Sequence, residues 1–183
     1  MKLKVLILSL TLSAALLAGC SSTKAPVPET PATEASVDAV TTASLVDNET
    51  DFEKGISKDG TWIISTLNDL TFDKELVLDG EFKNGKKNDD GTDAIQRKIA
   101  LYAQDADKNV TARYTLTAPK LTVTSPNARI QGGTFVGDVY VEAENFSIVD
   151  ATVEGNVYFA SEDLKATFKL EKEGKVTGAT EVK

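Results

Sequence analysis

Few residues in this chain are able to do chemistry, and their types exclude more than they offer. The 183 residues contain no histidine, which removes His-ligated zinc, histidine general bases and the Ser/His/Asp triad. The one cysteine, Cys20, excludes an intramolecular disulfide and any thiolate cluster. The arginines Arg97, Arg113 and Arg129 are of the kind that a polysaccharide lyase sets beside clustered aspartates, yet no carboxylate recurs beside them at a fixed spacing. Asp105-x-Asp107-x-Asn109 starts like a calcium loop, but Val110 stands where the loop needs glycine and Leu116 where it needs an acid. Asp89-Asp90-Gly91-Thr92-Asp93 is equally partial, and both segments read as solvated loops. Glu144 and Glu162 come closest to a divalent-cation site, with Asn145 and Asp163 beside them. No catalytic residue, metal or cofactor is expected, and the chain does not read as an enzyme.

Cys20 is the residue whose setting carries a reaction. Lys2 and Lys4 form a positive n-region, and Val5 to Leu16 is an uncharged apolar h-region of signal-peptide length. The apolar run ends at Cys20 and is short for a bilayer-spanning helix. Leu17-Ala18-Gly19-Cys20 resembles the lipobox of bacterial lipoproteins. That resemblance implies cleavage between Gly19 and Cys20 and diacylglycerylation of the Cys20 thiol. Two acyl chains supply about 0.8 kcal/mol per buried CH₂, enough for stable anchoring. The expected location is the extracytoplasmic face of a cell membrane, with the lipid bilayer as partner through acylated Cys20.

The charge balance agrees with that placement. The chain carries 20 basic and 28 acidic residues, a net charge of −8. Loss of a leader holding Lys2 and Lys4 leaves 18 basic against 28 acidic, or −10. A nucleic-acid binder needs a concentrated basic face, so nucleic acid is not expected as a partner. From Cys20 to Asp51 the chain holds Pro26, Pro28 and Pro31 and no aromatic residue. Such a stretch cannot bury enough apolar area to offset its ordering entropy, so residues 20–51 are expected to form a disordered tether. Ala39 to Val46 has some helical character, and Thr50-Asp51-Phe52-Glu53 has capping-box spacing with room for one helical turn after it.

The elements that must carry any surface are β-strands. From Trp62 onward, short alternating apolar segments are separated by Gly, Asn, Asp and Pro, with no useful 3.6-residue stripe. Gly132–Phe146 laid over Asp150–Leu164, an offset of 18, gives five identities in 15 positions, against about one expected from composition. They are Thr134/Thr152, Gly137/Gly155, Val139/Val157, Tyr140/Tyr158 and Glu144/Glu162. A period near 18 fits one coil of a parallel β-helix, with Val139 and Val141 inward and Tyr140 outward. Residues one period apart would then stack about 4.8 Å apart. Asn127, Asn145 and Asp163 would form a column at one corner, where short polar side chains tolerate left-handed backbone. Beyond this, Gly155-Asn156-Val157 matches Gly174-Lys175-Val176, a slip of one residue. The competing architecture is an antiparallel sandwich with similar hairpins.

The pattern G-x-x-x-G-D-V-x-V followed by V-x-G-N-V-x-F, from Gly133 to about Gly178, resembles the repeats of bactofilins, the bacterial polymer-forming cytoskeletal proteins. The lipobox and an irregular β region in front are additions to that pattern. The resemblance therefore implies coil architecture more than a cytoskeletal role. The expected fold is all-β: a short right-handed parallel β-helix-like stack of about 18-residue coils at 120–183. Before it come an irregular β/hairpin cap region at 52–119, the tether at 20–51 and a signal peptide at 1–19. Trp62, Ile63 and Ile64 are expected to cap the open N-terminal end of the stack, and no amphipathic helix covers its C-terminal end. Lysines near that end argue for a monomer or weak dimer. The expected function is a non-enzymatic envelope scaffold or spacer. The alternative is a surface module binding cell-wall glycan or an envelope protein, with Tyr140 and Tyr158 stacked outward as its platform.

Overall fold

A computed structural model describes residues 43–183; the leader, Gly19, Cys20 and the start of the tether lie outside the described residues. Strand β1 (Ala43–Val46) pairs in parallel with β2 (Ile63–Thr66), and helix α1 (Glu49–Ile56) lies between them in sequence. The segment around residue 51, read as tether, is thus a strand and a helix, and Ala43–Val46 is strand instead of helix. The physical reason lies in spacing: Phe52 and Ile56 are four apart on one face of α1 and both are buried. The helix starts at Asn48, whose Oδ1 accepts the Asp51 N–H at 2.9 Å, and not at Thr50. Glu49 and Asp51 in its first turn suit the positive end of the dipole.

Next come β3 (Leu70–Thr71) and β4 (Leu76–Leu78). A polar hairpin follows, β5 (Lys83–Lys87) with β6 (Asp93–Ile95), antiparallel. After β7 (Arg97–Ala100), β8 (Tyr102–Gln104) and β9 (Val110–Arg113) form a second antiparallel hairpin. The long β10 (Thr115–Val123), β11 (Ala128–Gln131) and β12 (Thr134–Val141) lead to β13 (Ser147–Val149), β14 (Thr152–Glu154) and β15 (Val157–Phe159). A five-residue helix α2 (Glu162–Ala166) precedes β16 (Lys169–Glu171), β17 (Lys175–Val176) and β18 (Thr180–Val182).

All pairs in the two large sheets are parallel, so the antiparallel sandwich is excluded. One sheet has six strands in the order β1-β2-β7-β11-β13-β16. The other has eight, built on β10, β12, β14 and β15 with β3 and β4 on one side and β17 and β18 on the other. From β7 onward the chain alternates between the sheets. The fold is all-β with parallel sheets. The region 52–119 does not stand apart from the repeats: β2 and β7 join the first sheet, and β3 and β4 the second.

Strand register builds the core as columns. Ile64, Ile99, Ile130, Ile148 and Leu170 follow one another across the six-stranded sheet. Leu70, Leu116, Phe135, Val153 and Val176 do so across the other, as do Leu78, Val123, Val141, Phe159 and Val182. Residues of both sheets belong to one buried apolar cluster. Each buried Leu, Ile, Val or Phe adds about 1.5–3 kcal/mol relative to exposure. Both open ends are treated differently from the sequence reading. Ile63 and Ile64 lie one strand inside the N-terminal edge, and α1 covers that end, with Phe52 and Phe72 rings 5.5 Å apart. At the other end α2 contributes half-buried Leu164, beside Phe168, over the core.

The register of 18 holds where the repeat was read: Thr134 opposite Thr152, Val139 opposite Val157, Tyr140 opposite Tyr158. It does not slip by one afterwards. Lys175 lies opposite Thr152 and Thr180 opposite Val157, because α2 and the Lys172 turn lengthen that circuit. Asn127 and Asn145 do adopt left-handed backbone at φ 53° and 59°. Asp163 leaves their column, because it lies in the first turn of α2. At another corner Gly137, Gly155 and Gly178 approach so closely that a Cβ on any of them would meet the backbone oxygen of the level before. Asp138 Oδ1 accepts from Asn156 N and Nδ2 at 2.8 and 2.9 Å, and Asn156 Oδ1 accepts from Ala179 N at 2.9 Å. This side-chain ladder ties three levels together at the glycine corner.

Candidate functional site

The tyrosine pair is brought together as the repeat requires. Tyr140 on β12 and Tyr158 on β15 are register partners with ring centroids 4.9 Å apart, tilted by 52°. Tyr158 is buried in this pair and Tyr140 is half-buried. The Lys183 Nζ sits 3.5 Å from the Tyr158 ring centroid and the Lys120 Nζ lies 5.3 Å from that of Tyr140. Tyr158 retains 7% exposure, whereas stacking a sugar ring requires an open aromatic face. The Lys183 ammonium is held above its ordinary value by Tyr158. That of Lys120 is raised by Glu75, whose carboxylate it meets at 2.6 Å. The arrangement shields the sheet with two cation–aromatic contacts.

Glu144 and Glu162 do not occupy equivalent places. Glu144 lies in the turn before β13 and Glu162 opens α2, where a carboxylate suits the helix start. Among the described residues no group of three or more acidic or thiol side chains is placed to hold a metal ion. In the β8–β9 turn, Asp105 Oδ1 accepts from Asp107 N and Asn109 N at 3.0 and 2.9 Å, and Oδ2 from Asn109 Nδ2 at 3.1 Å. Those bonds hold the Asp105 carboxyl below the usual range. Asp90 closes its own turn through Thr92, and Asp93 pairs with Lys83 and Lys87 at 2.8 and 2.5 Å. Lys83 and Lys87 hold the Asp93 carboxyl down at about 2.

The three arginines go to three different places. Arg97 is fully buried, and its Nη2 donates to the Gly55 and Ser57 carbonyls at 2.6 and 2.9 Å, stapling the C-terminal end of α1. Its guanidinium lies 4.0 Å from the Phe82 ring centroid, and burial lowers its pKa to about 10. A group so enclosed does not reach a glycan chain. Arg129 lies on β11, in register between Lys98 and Ser147. Arg113 crosses from β9 to the turns after β11 and β13. Its Nη1 donates to the Gly132 and Asp150 carbonyls at 3.1 and 3.0 Å, and its Nη2 to both Asp150 carboxylate oxygens at 3.1 and 2.9 Å.

That clamp defines a feature the sequence pattern did not show: the β8–β9 hairpin lies over the corners of three levels. Lys108 in its turn and Lys172 after β16 both have left-handed backbone, at φ 66° and 47°. Positive φ at lysine is uncommon, and nothing in the sequence placed these two residues at one cavity. No family model matches the chain, and no curated protein or solved structure matches it.

Proposed function

We propose that this protein is an exported, membrane-anchored bacterial lipoprotein whose domain is a non-enzymatic envelope scaffold or spacer. In this reading the two parallel sheets are faces of one short right-handed β-helix-type stack, similar to the bactofilin repeat. Right-handed crossover is the rule for parallel strands joined through the other face of a fold. The observation that carries the scaffold reading is the in-register column. The same apolar side chains recur from level to level, with a polar ladder at Asp138, Asn156 and Ala179. Six strands at about 4.8 Å spacing make a stiff element about 24 Å high. Leu17-Ala18-Gly19-Cys20 supports the anchoring and the extracytoplasmic location.

Among the described residues, strand edges left unpaired at β1 and at β16, β17 and β18 argue for some self-contact. Lys169, Lys172, Lys175 and Lys183 at the second edge limit it to a monomer or weak dimer. The test of anchoring is Cys20→Ser. The substitution is expected to abolish labelling by radioactive palmitate and to release the chain from the membrane fraction or block its processing. Unchanged labelling and fractionation would overturn the lipoprotein reading.

A further inference from the structure

The β8–β9 hairpin and the corners it covers enclose a cavity of about 230 Å³. Tyr102, Gln104, Lys108 and Val110 line it from the hairpin, Gln131 from β11, and Asp150 and Lys172 from the turns after β13 and β16. Two of its lining groups are lysines, and its carboxylate is already neutralised. Asp150 is held bidentate by Arg113, so the lining presents a net positive charge from Lys108 and Lys172. On a chain of net charge −8 a cavity of that sign is the exception.

The polar groups between the lysines point to more than a bare anion. Gln104 is 8% exposed and lines the cavity. Gln131 Nε2 donates to the Tyr102 hydroxyl at 3.4 Å, leaving the Gln131 Oε1 lone pairs to accept. A carboxamide offers a donor and an acceptor side by side, the complement of two neighbouring hydroxyls on a ring. Val110, 43% exposed, adds one apolar wall. The volume falls below the roughly 300–1,000 Å³ of sites for drug-sized ligands and suits a single sugar ring.

We propose that this cavity binds an acidic monosaccharide unit. Its carboxylate lies at Lys108 and Lys172 and its hydroxyls pair with Gln104 and Gln131. Lysine is suited to the first task as a compact charge with three donors. The hairpin then serves as a wall of the site, and the Arg113–Asp150 clamp sets how far it stands from the sheet corners. The site is separate from the Tyr140–Tyr158 face, and its ligand is recognised by charge and hydroxyls instead of by ring stacking.

Trp62, the single tryptophan, packs in one apolar cluster with Tyr102 and so reports on the cavity floor. The experiment titrates the full chain in detergent micelles with glucuronate, glucose, acetate and inorganic phosphate, reading Trp62 fluorescence and calorimetric heat in parallel. Glucuronate is expected to bind saturably, with glucose and acetate each at least about tenfold weaker, since each lacks one set of partners. The variant Lys108→Gln/Lys172→Gln is expected to weaken glucuronate binding at least about tenfold while leaving the melting temperature unchanged. Gln104→Leu is expected to weaken glucuronate and leave acetate unaffected. Acetate or phosphate binding as tightly as glucuronate would overturn the sugar assignment in favour of a simple anion site. Absence of saturable heat with glucuronate at about 50 mM would overturn the site itself, as would unchanged affinity in the double lysine variant.

Discussion

The glycine corner makes Gly155→Ala the sharpest test of the level-to-level packing. A Cβ at Gly155 would stand 2.0 Å from the Gly137 carbonyl oxygen, 2.6 Å from its carbon and 3.1 Å from Asp138 Oδ1. Ordinary contact begins at 3.4 Å, so β14 and β15 would have to move away from β12 by more than an ångström at this corner. The obstacle is backbone and not the tip of a flexible side chain, so it cannot swing aside. The movement also strains the Asn156–Asp138 bonds and the Gly178 N–H to Gly155 carbonyl bond at 2.9 Å. Overpacking of this kind costs roughly 1–3 kcal/mol, and each hydrogen bond lost adds about 1 kcal/mol. The stiffer unfolded chain of alanine offsets up to about 1 kcal/mol. About 2 kcal/mol of net destabilisation remains, which lowers Tm by roughly 4–8 °C in a domain of this size. Thermal and urea denaturation of a soluble 43–183 fragment measure it. Gly85→Ala is the control, because nothing lies within 4 Å of that position and only its φ of +79° opposes a side chain. A Gly155→Ala protein melting within about 1 °C of wild type would refute the close approach of these levels.

Two further outcomes follow from bonds already described. Asn156→Ala removes the acceptor for Ala179 N–H and the Nδ2 donor to Asp138; the backbone donor to Asp138 survives, so a loss of about 1–2 kcal/mol is expected in urea denaturation. The β5–β6 hairpin is expected to loosen in acid. Asp93 is held at about 2, below its ordinary 3.8, so its pairing with Lys83 and Lys87 is fully present above about pH 4 and is lost as the pH falls through about 2. Amide resonances of 83–95 followed by NMR should show that transition, and Asp93→Asn should remove it.

How much of this was legible in the sequence depended on whether the circuits kept one length. Tyr140 and Tyr158, or Val139 and Val157, meet in the structure at the lag visible in the sequence, because no excursion interrupts the chain between them. Earlier strands pair across lags that no repeat search returns: Lys98 with Ile63, Leu121 with Leu76. The polar hairpin at 83–95 lies within both spans, and the second hairpin within the latter. At the far end, α2 displaced Asp163 and Glu162 from the places the repeat assigned them. The first strand was missed because Ala43–Val46 has no strong strand character of its own and borrows its order from β2. The fate of the tyrosines was hidden for a different reason. Lys183 and Lys120 reach over the rings from positions whose side-chain direction no periodicity specifies.

The unequal circuits also set an order of assembly. Closing a loop becomes harder with the logarithm of its length. Bringing β12 to β14 and β15 closes 18 residues, whereas seating Leu70 against Leu116 closes 46. The difference is about 0.8 kcal/mol in loop-closure entropy alone. Among the parallel pairs of the two large sheets, the stretch from β11 to β15 closes the shortest circuits and is therefore the cheapest nucleus for them. Strands β2 to β4, together with α1, join a template already in place, and β16 to β18 zip on behind α2 from the other side. Growth of this kind proceeds outward in two directions from the middle of the chain, so the half nearest Cys20 is ordered late.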